Sequence, residues 1–453
     1  MAGAAVVLLL LLAGATAANS IGVNYGTQGD NLPPPSDVAK FLKEKTIIDR
    51  IKIFDANPDI LGAFAGTGIL VAVTVPNGDI PGLADLGGAR RWISANILPF
   101  HPRTKINYIL VGNEILHWGP QNLRDNLVAA VRTLHEALRL GGVRGVKVTT
   151  AHSLGILESS SPPSLARFRR GWDTAVLAPL LQFHRETKTP FMVNPYPYFG
   201  YNAGAGGNAD FATLRPNKGF FDKFVRRTYG DMFDLLMDAV YMSMKRLGYG
   251  DVEIAVGETG WASQGEAFEQ PKCSPENAAA YNGGLIRKYN SGRGTPLMPK
   301  RRFETYLFGL FNEDQKTGPL SEKNFGLFRS DFSPVYDVGL LRTAAPSSAR
   351  PIQKPKLSGG IQNSKKWCVP KPGSTDAALQ ANIDYVCNQP GFDCEQIKRG
   401  GACYEPNTVR AHAAYIMNLY YQSEGRNDFN CDFSSSGFIT SIDPSVGSCK
   451  FLS

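Results

Sequence analysis

Between Ile21 and about Phe311, short runs of β-branched and apolar residues take turns with longer stretches of helical periodicity, and no other feature restricts the fold as much. Such alternation builds repeated βα units, with parallel strands side by side and helices covering them. The candidate strands are Ile21–Tyr25, Arg50–Phe54, Leu70–Val75, Ile106–Val111, Val146–Thr150, Phe191–Asn194, Val252–Val256 and Tyr306–Phe311. Eight units in roughly three hundred residues suit a closed α/β barrel better than an open sheet.

Two of the intervening helices are legible from their periodicity. Leu123, Leu127, Val131, Leu134 and Leu138 share one face between a candidate cap at Asn122 and a stop at Gly141-Gly142. From Asp231 to Leu247, Phe233, Leu236, Met237, Val240, Met244 and Leu247 form a stripe that reads as core rather than as a cofactor box.

The two ends of the chain follow different rules. Residues 1–18 carry an apolar run from Ala4 to Leu12 and the small-residue pattern Ala15-Thr16-Ala17, which reads as a secretory signal peptide. The run is too short for a comfortable membrane span, no later stretch is long and apolar enough for one, and the end SVGSCKFLS lacks a lipid-anchor tail. A barrel domain is expected over 19–342. Residues 343–366, rich in Pro, Ser, Gly and Lys, read as a linker. Six of the seven cysteines lie between Cys368 and Cys449, so 367–453 reads as a small disulfide-stapled module of an exported protein, with Cys273 left over. No Asn-x-Ser/Thr sequon occurs.

The net charge of +8 is unevenly spread: 341–366 holds six basic residues and no acid, whereas 367–453 holds six basic and nine acidic residues. About +5 therefore remains for the large domain, an ordinary solvated surface, and no basic helix interleaved with aromatics points to nucleic acid.

In a βα barrel, reactive groups sit where strands run into the following loops. Two apolar runs end there in a glutamate: NYILVGNEIL at Glu114 and VEIAVGETGW at Glu258. Singly, each could cap a helix or pair with an arginine. Together at one barrel mouth they supply the two carboxyl groups that glycoside hydrolysis requires, one protonated for the leaving sugar and one ionised.

GVNYG at 22–26, VGNE at 111–114, NPYPYF at 194–199, GETGW at 257–261, FNEDQKTG at 311–318 and NFGLF at 324–328 occur in order, and over residues 21–340 the chain resembles plant glycoside hydrolase family 17, the endo-1,3-β-glucanases. The resemblance implies an eightfold β/α (TIM) barrel, retention of anomeric configuration, no metal or cofactor, Glu114 as acid/base and Glu258 as nucleophile. It also implies that Asn113 bonds the hydroxyl next to the reacting carbon, and that Glu313 and Lys316 line the cleft. By spacing alone the last two could be a surface ion pair, and Lys316 could keep a neighbouring carboxylate ionised. Tyr25, Tyr196 and Trp261 fall at strand ends as candidate sugar-stacking rings, with Tyr198 and Phe199 read equally well as packing. Ala262 stands where relatives commonly have proline, which suggests a looser loop around Trp261.

The Cys-rich tail resembles carbohydrate-binding module family 43, associated with β-1,3-glucan. Its six cysteines allow fifteen pairings; the family pattern implies Cys368 with Cys431, Cys387 with Cys394 and Cys403 with Cys449. Thr408–Tyr421 is amphipathic enough to form the module's core, and Trp367, Tyr404, Tyr420 and Tyr421 are candidate sugar contacts or packing residues. The expected partner is a β-1,3-glucan polysaccharide met by a secreted monomer at the cell wall. No G-x-S-x-G and no H-E-x-x-H occurs, which sets aside serine hydrolases and zinc proteases. A glucan-binding wall protein with little catalysis and a transglycosylase remain as rivals.

Overall fold

The computed structural model describes residues 21–202, 207–342, 366–371, 374–388, 392–423, 426, 428–431, 433, 436–440 and 443–453. The N-terminal apolar run and most of the linker lie outside them. Contacts divide the chain into two compact units, one ending at Ala345 and one beginning at Pro346.

In the first unit eight parallel strands close into a barrel: β1 (Ile21–Tyr25), β2 (Ile48–Ile53), β3 (Leu70–Val75), β4 (Lys105–Asn113), β5 (Lys147–Ser153), β6 (Phe191–Asn194), β7 (Ile254–Thr259) and β8 (Thr305–Leu307). Each strand pairs with its sequence neighbour and β8 pairs back onto β1. All eight sequence-derived strands are present. The last is shorter than its apolar run, because Gly309 turns at φ 89° and Leu310 and Phe311 then serve the loop layer rather than the ladder.

Outward-facing strand residues such as Val71, Val73, Ile109, Val111 and Val193 pack against the helices in one continuous core. Inward-facing Ala72, Tyr108, Leu110, Ala151, Met192, Ala255 and Tyr306 fill the barrel. At the end where the strands begin, Glu304 accepts from Tyr108 Oη at 2.9 Å and Tyr306 Oη at 3.1 Å and pairs with Arg50 at 2.9 Å. This polar cluster fills the barrel interior at that end.

Helix Gln121–Leu140 buries Leu123, Leu127, Val131, Leu134 and Leu138 as its period requires and stops at Gly141. Its N-cap is Pro120 and not Asn122, because proline fits the first turn, where an N–H has no partner to lose. Helix Met232–Arg246 is capped by Asp231, whose side chain accepts from Asp234 N. Ala262 is fully buried, and Ser263 N bonds Asn324 O at 2.9 Å, so the expected looseness after Trp261 is absent.

The second unit holds helices Asp376–Cys387 and Val409–Ser423 against an antiparallel pair, Trp367–Pro370 and Gly437–Thr440. Its core is Cys368, Leu379, Ile383, Ala413, Met417, Tyr421 and Cys431. Disulfides join Cys368 to Cys431, Cys387 to Cys394 and Cys403 to Cys449. Trp367 and Tyr421 are buried packing residues, whereas Tyr404 and Tyr420 are partly exposed.

Candidate active site

Strand β4 does not simply run on into its helix. Gly112 takes φ 68°, in a space where a Cβ would fall 2.7 Å from Ile80 and 2.9 Å from Ile115, and Glu114 itself sits in the left-handed region at φ 57°, ψ 33°. A non-glycine residue held there costs on the order of 1 kcal/mol or more, and such strain concentrates at working sites. The backbone is clamped by Glu114 N bonding Ala151 O at 2.9 Å, while Glu114 O accepts from His117 N and Trp118 N. The Glu114 carboxylate then meets Asn194 Nδ2 at 2.8 Å and Trp118 Nε1 at 3.0 Å.

Glu258 lies within β7, 5% exposed. Its Oε1 is 2.6 Å from Lys52 Nζ, and its Oε2 accepts from Tyr196 Oη at 3.1 Å. Lys52 is completely buried on β2, with a longer bond of 3.4 Å to Asn113 Oδ1 and its ammonium 4.4 Å from the Phe54 ring centroid. The two glutamates thus occupy unlike surroundings. Glu258 is ion-paired; Glu114 has neutral donors only. Burial, and then the charge of Glu258, push the Glu114 pKa above its ordinary 4.5, and the bonds from Asn194 and Trp118 oppose the rise without cancelling it. Burial, with the nearby carboxylates, drives the Tyr196 phenol well above 10, so it stays a donor.

Both carboxylates line one cleft of about 890 Å³ across the strand-end mouth of the barrel. Asn113, Tyr196, Glu313 and Lys316 line it too. Glu313 enters because Gly26 has no side chain: a Cβ there would lie 2.3 Å from its carboxylate, which accepts from Gln28 N at 2.8 Å. Gly257 likewise lets β7 approach β6, since a Cβ would fall 2.9 Å from Asn194 Oδ1.

Three expectations change. Trp261 is fully buried, boxed by Tyr198, Tyr201 and Tyr281 with Nε1 donating to Lys272 O at 2.8 Å; it supports the mouth and offers no ring to a ligand. Tyr25 is 2% exposed, packs edge-on against Phe311 and does not line the cleft. Lys316 pairs with Glu322 at 3.5 Å and lies 4.4 Å from the Phe308 ring centroid, so the lysine that neutralises a central carboxylate is Lys52 instead. Phe199 stands 60% exposed in the cleft wall, while Tyr198 is the packing residue.

Sequence reasoning missed Lys52, Asn194, His117, Trp118 and Phe308. Asn194 carried a signal, being a polar residue ending the apolar run FMVN. Lys52 carried none.

The glycosyl hydrolases family 17 model matches residues 21–340, and the X8 domain model matches 366–438. A glucan endo-1,3-beta-glucosidase of Triticum aestivum is 51% identical, with 99% of each chain covered. A glucan endo-1,3-beta-D-glucosidase of Olea europaea is 45% identical over 98% of this chain and 96% of its own. Among solved structures, a beta-1,3-glucanase and allergen of Cryptomeria japonica pollen is 38% identical with a TM-score of 0.66, covering 71% of this chain and 98% of its own.

Proposed function

The chain belongs to glycosyl hydrolases family 17, and from that premise we propose that it is a secreted endo-glucanase that cuts internal β-1,3-glucosidic bonds of cell-wall glucan with retention. The observation that carries this reading is the unequal pair in the cleft, Glu258 beside a buried ammonium and Glu114 beside none.

In the first step Glu114, kept protonated by burial and by the charge of Glu258, gives its proton to the glycosidic oxygen. The Glu258 carboxylate, aimed by Lys52 and Tyr196, attacks the anomeric carbon as that bond breaks, and a glycosyl ester forms on Glu258. Once the proton has left, Glu114 takes one from water, whose oxygen displaces Glu258 and restores both groups. Double displacement of this kind needs carboxyl groups about 5–5.5 Å apart. Asn113, oriented by Lys52 and by Asn77 through its backbone, bonds the hydroxyl beside the reacting carbon.

Residues 1–18 act as a signal peptide, 19–342 as the catalytic domain, 343–366 as a linker and 367–453 as a glucan-binding module on a monomeric extracellular protein. The family match over 21–340 and the names of the relatives support the catalytic part of this assignment, and the X8 match over 366–438 supports the module.

Reducing-end release from laminarin tests the reading. Glu258→Gln and Glu114→Gln are each expected to lower kcat by roughly 10³-fold or more, and NMR of the first product is expected to detect the β anomer. Glucan binding by the unaltered protein without any cleavage, or an α product, would overturn it.

A further inference from the structure

Trp118 is the most exposed indole in the cleft wall, 72% exposed, yet it is not loose. Its ring stacks on His117 with centroids 4.1 Å apart and 20° between planes. His117 Nδ1 is in turn 2.8 Å from Ser153 Oγ, and Gly155 leaves room for the imidazole, since a Cβ there would lie 2.4 Å from Nδ1. At its other edge Trp118 Nε1 donates to Glu114 Oε2 at 3.0 Å. A lone exposed apolar residue calls for no explanation. An indole fixed from behind and at its edge, with a face left open in a polysaccharide-sized cleft, does.

The barrel order says which sugar that face would meet. Trp118 and His117 follow β4, and their support comes from the end of β5; Glu313, Lys316 and Glu322 follow β8, directly across the ring, while Glu258 stands on β7, three strands from β4, and Lys52 on β2, two strands from it. Glu114 is bonded to Trp118 and feels the charges of Glu258 and Lys52, which share the cleft with it. An acid protonates the oxygen that departs, so the sugar lying beyond Glu114 from the nucleophile is the leaving one. Resting on the proposed hydrolase reading, we infer that Trp118, backed by His117, is the platform on which the leaving-side glucosyl unit stacks, and that it thereby determines specificity for chains extending past the cleaved bond.

A flat indole suits this because the apolar face of a β-linked glucose stacks on it while the equatorial hydroxyls stay wet. The platform also serves the second half-reaction. With a glucan end resting on Trp118, its O3–H rather than water faces the glycosyl ester: Glu114 takes the proton, O3 bonds to C1 and the C1–O bond to Glu258 breaks. One β-1,3 bond is made for the one cleaved, with no other reactant.

The experiment compares laminarihexaose with laminaritriosyl fluoride, whose leaving group is not a sugar and needs no stacking. Hydrolysis of the fluoride by the unaltered protein, abolished in Glu258→Gln, tests the hydrolase reading by itself. Trp118→Ala is expected to lower kcat/KM about ten-fold more on the hexaose than on the fluoride, and to lower the ratio of transfer to hydrolysis products with added laminaribiose by a similar factor. Trp118→Phe keeps a ring but loses the N–H to Glu114; it is expected to recover most of the hexaose preference while the alkaline limb of the rate profile moves to higher pH, because that donor favours the ionised Glu114. Equal losses on both substrates, or an unchanged transfer ratio in Trp118→Ala, would overturn the platform even with the hydrolase intact.

Discussion

Lys52 is the buried cation on which the proposed chemistry of Glu258 depends. It is fully buried, and its partner Glu258 is nearly so, so removing the ammonium leaves a buried carboxylate without its counter-charge and with only the Tyr196 hydroxyl as donor. Breaking such a pair from one side costs about 3–5 kcal/mol. Lys52→Met is therefore expected to lower stability at neutral pH by that order, measured by urea unfolding, and, on the proposed mechanism, to lower kcat by about 10²-fold or more, because Glu258 loses the charge that aims it. Lys52→Arg should recover part of the activity, since a guanidinium can replace the ion pair only with a shifted geometry. The sequence hid this role. In IDRIKIF a lysine alternating with isoleucines reads as solvent-facing, and only barrel closure turns that side of β2 inward. Glu114 and Glu258 were legible because each ended an apolar run at the barrel's chemically active end. Tyr25 and Trp261 carried the same positional signal, yet burial assigned them to packing, since strand-end position does not say which way a ring turns.

Among the elements, helix Met232–Arg246 carries a pH-dependent cost. Asp238 is fully buried on it, accepting from Leu297 N at 2.9 Å and from Thr295 Oγ1, and burial pushes its pKa up to about 6. The folded state thus holds this proton more tightly than the unfolded chain does. The resulting stability is fully present below about pH 4 and lost as the pH rises through about 6. With the shift from 3.8 the loss is on the order of 3 kcal/mol. Asp238→Asn is expected to flatten the fall in stability between pH 4 and 7, as read by denaturant titration at each pH; an unchanged slope would assign the fall to other groups. The helix itself was visible in sequence from its Phe and Met stripe, and the burial of its carboxylates was not, because Asp231, Asp234 and Asp238 share one side that reads as solvated until Lys288 and the Thr295–Leu297 segment cover it.

At the scale of the whole molecule, every disulfide among the described residues lies in the second unit, and the first holds one buried free thiol, Cys273. A module of this size has little core beyond what its bridges support, each contributing about 2–5 kcal/mol. Mild reduction is therefore expected to abolish retention on insoluble β-1,3-glucan while cleavage of soluble laminarin-oligosaccharides persists. A chain ending at Arg342 should behave likewise, with apparent affinity for the insoluble polymer roughly 10²-fold lower in a pull-down assay. A protein gathered in this way onto a polymer surface meets other copies of itself at high local density. There the ring of eight strands has a benefit unrelated to catalysis: a sheet whose last strand bonds its first presents no unpaired row of amides, so neighbouring barrels cannot extend one another strand by strand into fibrils.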